Sequence, residues 1–173
     1  MKNKLIALFL SIILIFSFNQ AFAADVPIIV IAPSKKAQSV STVGTTVTVL
    51  DENFFKNSNK FFLGDALAEN STSINFFQNG GHGQTSAIQL RGLPKRYSTV
   101  YVDGVKMSDP SSVSNDFDFN HILTSQVSRV EILKGNQSSV YGSGAIGGTI
   151  NITTKKGETG LQKNIQYNNA SHG

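Results

Sequence analysis

The chain has 173 residues, a formal net charge of +4 and no cysteine. Without cysteine there is neither a disulfide framework nor thiolate chemistry, so packing and hydrogen bonds must supply the stability. Lysines and arginines are scattered rather than clustered, which excludes the electrostatic footprint of a nucleic-acid binder.

The first residues read as a secretory leader. Lys2 and Lys4 give a positive start, Leu5–Phe18 is an apolar run, and Ala21-Phe22-Ala23 is an A-x-A cleavage site. Residues 1–23 are therefore predicted to be a signal peptide rather than a retained anchor, leaving enough chain for one domain. Pro27-Ile28-Ile29-Val30-Ile31-Ala32 is a short apolar strand, followed by a polar linker to residue 38. It suits either the first strand of the domain or a segment offered to a partner's open sheet edge.

Val43–Leu50 is predicted as a strand, and Asp51 as the cap of a short helical turn running through Phe55. Phe61, Phe62, Ala66 and Leu67 recur with helical spacing and are expected to face a core, in a helix that fades at residues 70–73. Gln78–Gln84 is a glycine-rich loop, and Ala87–Gly92 a strand ending in Arg91-Gly92. His82 in that loop is either a ligand contact or solvated surface, and no second ligand lies at metal spacing from it.

Thr99–Val102 and Val105–Met107 flank Asp103-Gly104, which predicts a hairpin with a type I′ turn, positive φ being needed at both central residues. The loop from Ser108 to Phe119 carries Asp109, Asp116 and Asp118, but lacks the spacing and glycine of a calcium loop. Solvated turn residues are the expectation there. Arg129–Leu133 and Thr149–Thr154 are β-branched runs with strand periodicity, joined by a loop holding Gly135, Gly142, Gly144, Gly147 and Gly148. Within it, Gly142–Gly147 fits G-x-G-x-x-G, yet a dinucleotide fingerprint needs a helix next, and Thr149-Ile150-Asn151-Ile152 is strand-forming. The glycines are therefore read as a tight turn that holds no ligand.

The stretch Arg129–Thr154 resembles the C-terminal part of the plug domain of TonB-dependent outer-membrane receptors. The matching residues are Arg129, Glu131, Gly135, Tyr141, Gly142, Ala145, Ile146, Gly147, Gly148, Ile150 and Asn151. Asn136 stands where family members often carry proline. Arg91-Gly92 and the Asp103-Gly104 hairpin match two further motifs in the family's order. The run Gln78–Ser86 is similar to the cobalamin (vitamin B12) transporter branch in particular.

The resemblance implies an α+β plug, a small mixed sheet with short helices, over residues 39–157. It implies that Pro27, Ile28, Ile29, Val30, Ile31 and Ala32 form the TonB box, offered to the energy-coupling protein TonB. It places Asn79, Gly80, Gly81, His82, Gly83 and Gln84 in one substrate-facing loop. Ser108, Asp109, Ser111, Ser112, Ser114 and Asn115 lie in a second. Arg91, Arg129 and Glu131 are either an ordinary exposed charge set or, by resemblance, contacts to a barrel wall. No cofactor, metal or catalytic arrangement is expected; the three histidines are dispersed at 82, 121 and 172.

The implied setting is the outer membrane, and the implied substrate is cobalamin, with a ferric siderophore or haem as the alternative. Residues 158–173 alternate at Ile165 and Tyr167 like the start of a first barrel strand. A plugged barrel needs about 22 strands of roughly ten residues, so the chain is expected to be an N-terminal fragment of a transporter. The rival from another class is a free periplasmic plug-like binding module.

Overall fold

A computed structural model describes residues 29–30, 36, 38–39, 43–70, 73–81, 83–114 and 117–157. The expected signal peptide, residues 27, 28, 31 and 32 of the expected TonB box, His82, Asn115, Asp116 and the expected barrel strand lie outside these residues.

Two strands meet at the centre of the molecule. β8 (Val127–Lys134) and β9 (Gly148–Thr154) run antiparallel, from Val127 opposite Thr154 to Lys134 opposite Gly148, with a bulge after Val127. β3 (Thr46–Leu50) adds antiparallel to the free side of β8. β6 (Ser98–Val102) adds parallel to β9, and β7 (Val105–Met107) closes the order β3-β8-β9-β6-β7. Two small antiparallel ladders accompany this sheet: β1 (Ile29–Val30) with β2 (Gln38–Ser39), and β4 (Ile74–Gln78) with β5 (Ser86–Leu90).

Because side chains alternate across a strand, each cross-strand row lies on one face. The rows Leu50–Val130–Ile152–Val102 and Thr48–Ile132–Ile150–Val100 share the first face. That face carries the main core, covered by α1 (Glu52–Asn57), α2 (Leu63–Asn70) and the β4–β5 hairpin through Phe55, Leu63, Leu67, Ile74, Ile88 and Leu90. Val130, Ile132, Ile150 and Ile152 are fully buried there. Each contributes about 1.5–3 kcal/mol by leaving water.

The local predictions hold where chemistry is local. Asp51 caps α1, its Oδ1 accepting the Phe54 N–H at 3.0 Å. Asp103 and Gly104 have φ of 48° and 83°, as the type I′ turn requires. The turn is also pinned to the sheet, since Thr154 donates its N–H to Asp103 Oδ1 at 2.9 Å and its hydroxyl to Oδ2 at 2.6 Å.

Three expectations are corrected. α2 begins at Leu63, and Phe61 is exposed, not core. Here the backbone of Phe61–Leu63 is taken by a bridge to the segment at Leu123, with Leu63 N–H bonded to Ile122 O and Thr124 N–H to Phe61 O, each at 2.9 Å. A strand, β4, occupies Ile74–Gln78, which the helical pattern before it had hidden. β5 ends at Leu90, because Arg91 (φ 56°) and Gly92 (φ 73°) both turn into the left-handed region.

The glycine stretch between β8 and β9 is compact. It folds as a one-turn helix α3 (Ser138–Tyr141), a 3-10 turn (Ser143–Ala145) and the start of β9, so a strand follows the G-x-G-x-x-G match. Gly148 sits at φ 149°, and a Cβ there would meet Leu133 O at 2.3 Å and Leu90 Cδ1 at 2.7 Å. Gly147 packs its backbone on Tyr97, donating its N–H to Tyr97 O at 2.9 Å. These glycines face the chain's own backbone. Gly148→Ala is accordingly expected to destabilise the chain by about 3 kcal/mol, read as a lower urea midpoint. Gly104→Ala, which meets open space and suffers only positive-φ strain, should cost about 1 kcal/mol.

Candidate functional site

The end of the glycine-rich loop, at Gln84 and Ser86, is bonded in the structure to Asp118–Asn120, which follow the second loop expected to face a substrate. Their junction is Asp118, which caps a 3-10 turn at Phe119–His121. Its Oδ1 accepts the Ser86 hydroxyl at 2.6 Å, the Ser86 N–H at 3.2 Å and the Asn120 N–H at 3.0 Å. Ser86 Oγ in turn accepts the Phe119 N–H at 3.0 Å, and Asn120 Nδ2 donates to Gln84 O. Ser86 opens β5, directly after the glycine-rich loop, and Asp118 closes the 108–119 loop. A local feature of each sequence segment thus becomes a contact across more than thirty residues.

Asp118 was expected among solvated turn residues, and the structure corrects this. Ser86 and Asn120 beside it are 2–3% exposed, and the carboxylate accepts from both. Asp109 does behave as a turn residue. It accepts the Ser111 hydroxyl at 2.6 Å and N–H at 2.9 Å, which hold its carboxyl below the usual range.

Two clefts border this junction. One, of about 450 Å³, is lined by Val102, Met107, Phe117, Ile122 and the polar groups of Asp118 and His121. The other, of about 210 Å³, is lined by Phe77, Asn79, Thr85, Ser86, Gln89 and Lys95. Of the expected loop residues, Asn79 lines the second cleft, whereas Ser108 and Asp109 line the first. Val113, fully exposed at the loop tip, was missed by sequence reasoning; its signal was an apolar residue alone among serines.

The charged residues separate. Arg129 Nε donates to Glu131 Oε1 at 2.8 Å, and the Glu131 side chain is only 3% exposed. The expectation of an ordinary exposed pair therefore fails for Glu131. Its row, Val49–Glu131–Asn151–Tyr101, lies on the second face of the sheet, beneath α3. There Leu133, Tyr141 and Ala145 form a smaller core with Val47 and Tyr101. Glu131 thus turns into the domain's own interior, where Arg129 compensates its charge.

Arg91 lies elsewhere: it is exposed, and a Cβ on Gly135 would stand 3.6 Å from its guanidinium. Gly135 is six residues beyond Arg129, roughly 20 Å along the strand. The expected TonB-box strand is described at Ile29 and Val30, where β1 pairs with β2 through Ile29 opposite Ser39 and Val30 opposite Gln38.

Tyr141 records the character of the second face. Burial, then the neighbouring Tyr101 and Glu131, push its phenol up to about 12, and its ring meets Tyr101 edge-on at 5.0 Å. A raised folded-state pKa stabilises the fold fully below the unfolded value, about 10, and that contribution is lost as pH rises through 12. Burial raises Tyr101 as well, so a spectrophotometric titration should show late-ionising tyrosine absorbance whose latest component is absent in Tyr141→Phe. Stability of the wild-type chain should fall between about pH 10 and pH 12, and less steeply in the variant.

Comparison with known proteins bears on this geometry. A family model described as the TonB-dependent receptor plug domain matches residues 39–149, more than half of the chain. Among solved structures, the ferric enterobactin receptor PfeA of Pseudomonas aeruginosa aligns at 26% identity and a TM-score of 0.51, covering 65% of this chain and 18% of that one. The ferric yersiniabactin uptake receptor FyuA of Yersinia pestis aligns at 28% identity and 0.51, covering 69% and 18%. A chain of the FpvAI–pyocin S2 complex, at 18% identity and a TM-score of 0.58, covering 74% of this chain and 16% of that one, shares the fold. The chain spans less than a fifth of the length of these chains. With its mixed five-stranded sheet, short helices and glycine-packed β8–β9 pair, the chain belongs to the family of TonB-dependent receptor plug domains.

Proposed function

We propose that this chain is the plug of an outer-membrane transporter that takes up a scarce metal chelate and is driven by the coupling protein TonB. The observation that carries the reading is the Ser86–Asp118 junction, each partner of which lines a cleft, on a domain of the plug family. An iron–siderophore is the substrate class favoured, since the receptors similar above 25% identity carry ferric enterobactin and ferric yersiniabactin in their names. Cobalamin is the second reading, supported by the run Gln78–Ser86.

The remaining assignments follow from this reading. Residues 1–23 export the chain, and Pro27–Ala32 is the segment that TonB captures by strand addition. Arg91, exposed, offers a cationic contact to acidic groups on a barrel wall. Polar docking suits a plug that must rearrange within a hydrophilic lumen.

Two measurements test this. Ile29→Pro removes a backbone donor from the strand and should weaken binding of the chain to the periplasmic domain of TonB by about tenfold or more; unchanged binding would contradict the TonB-box assignment. Titrating the isotope-labelled chain with ferric enterobactin and with cyanocobalamin should move the amide signals of residues 79–84 and 108–114, with the larger response to the ferric chelate. A larger response to cyanocobalamin would reverse the substrate order.

A further inference from the structure

We propose that Asp118 is the positioning residue of the plug's ligand-facing surface. Its carboxylate ties Gln84–Ser86, at the end of the glycine-rich loop, to Asp118–Asn120, which follow the serine-rich loop, and fixes both to the core. The inference rests on the reading that these loops face the substrate.

Four hydrogen bonds cross between the two segments. Ser86 gives its hydroxyl and its N–H to Asp118, Phe119 gives its N–H to Ser86 Oγ, and Asn120 gives its amide to Gln84 O. Asp118 or its direct partner Ser86 takes part in three of them. A hydroxyl that accepts from Phe119 while donating to a carboxylate is held at both ends, so the Ser86 rotamer is set by the junction. Charge assistance strengthens the 2.6 Å contact relative to a neutral pair.

The junction is also anchored. Phe119, the next residue, is among the largest fully buried side chains and packs edge-on against Phe117 at 4.9 Å. The 3-10 turn that Asp118 caps leads through Ile122 O and Thr124 N–H into the bridge at the start of α2. Asp109, by contrast, is engaged with Ser111 of its own loop, so it ties nothing across.

The placement gives the clip its consequence. Asp118 lines one cleft, of about 450 Å³, and Ser86 the other, of about 210 Å³, so the bonded pair has one partner in each. A group that seats in either one bears on a partner of the same hydrogen bond. Loops with such a common anchor present their contacts in one geometry and lose less conformational freedom when a ligand binds.

The experiment uses the full chain, whose lack of cysteine permits selective labelling. Spin labels go on Gly81→Cys, which opens into free space, and on Val113→Cys at the exposed tip. Pulsed dipolar spectroscopy then reads the distance distribution between the loops, while circular dichroism monitors the fold. The labelled background should give one narrow distribution. Asp118→Ala should broaden it at least twofold with the fold retained, and Asp118→Asn, which keeps an acceptor oxygen, should restore part of the narrowing.

If Asp118→Ala fails to fold, Ser86→Ala carries the test. It removes one hydroxyl and should still broaden the distribution measurably. An unchanged width in the folded variants would overturn the inference. Ferric enterobactin and cyanocobalamin are then added to the labelled background. A shift with either one sustains the substrate-facing reading, and no shift with both counts against that reading alone, because the width comparison is made without ligand.

Discussion

The close approach of Gly148 to Leu133 is the constraint on which the rest of the fold depends. β8 and β9 are both central strands, each flanked on both sides, so any widening of their spacing would propagate to β3, β6 and β7. At the Lys134–Gly148 end the chain must leave β8, make a helical turn and a 3-10 turn, and re-enter as β9. It does so with backbone packed on backbone. Only a residue without Cβ fits against Leu133 O and Leu90 Cδ1 at once. The glycine-rich stretch is therefore a packing solution, and its likeness to a nucleotide motif is a coincidence of spacing.

The two faces of the sheet are used differently. The first is a conventional apolar core beneath two helices and a hairpin, and it supplies most of the burial. The second is thinner and carries a charge pair, two tyrosines and the short α3. A buried Glu131 compensated by Arg129 is weak evidence for stability. Its consequence is geometric, because it fixes which way the second face must be covered. At the surface, the Asp118 carboxylate likewise collects the donors of Ser86 and Asn120.

Much of this was legible in the sequence, and the reasons are local. Asp51 before an apolar helix, Asp103-Gly104 between strand runs, and the glycines after Leu133 each impose a backbone shape that no distant residue can change. What stayed hidden was settled by pairing at long range. Ile74–Phe77 does not declare itself as a strand, because its partner begins beyond the glycine loop at Ser86. Phe61 carries helical spacing but is claimed by a bridge to Leu123. Asp118 looks like any acid in a serine-rich loop until Ser86 is brought beside it, and Glu131 looks solvated until α3 folds over its row. Pattern identified the elements, whereas the candidate site arises from contacts between elements.

The most direct test of the account is native-state hydrogen exchange on the full chain, read residue by residue. If the β8–β9 pair is the constraint that holds the molecule, the slowest amides will be those of Val130–Leu133 and Ile150–Ile152, opening only with global unfolding. The β4–β5 hairpin and the β1–β2 ladder should exchange through cheaper local openings. Slower exchange in the β4–β5 hairpin than in β8 and β9, or protection spread evenly over the sheet, would contradict the account.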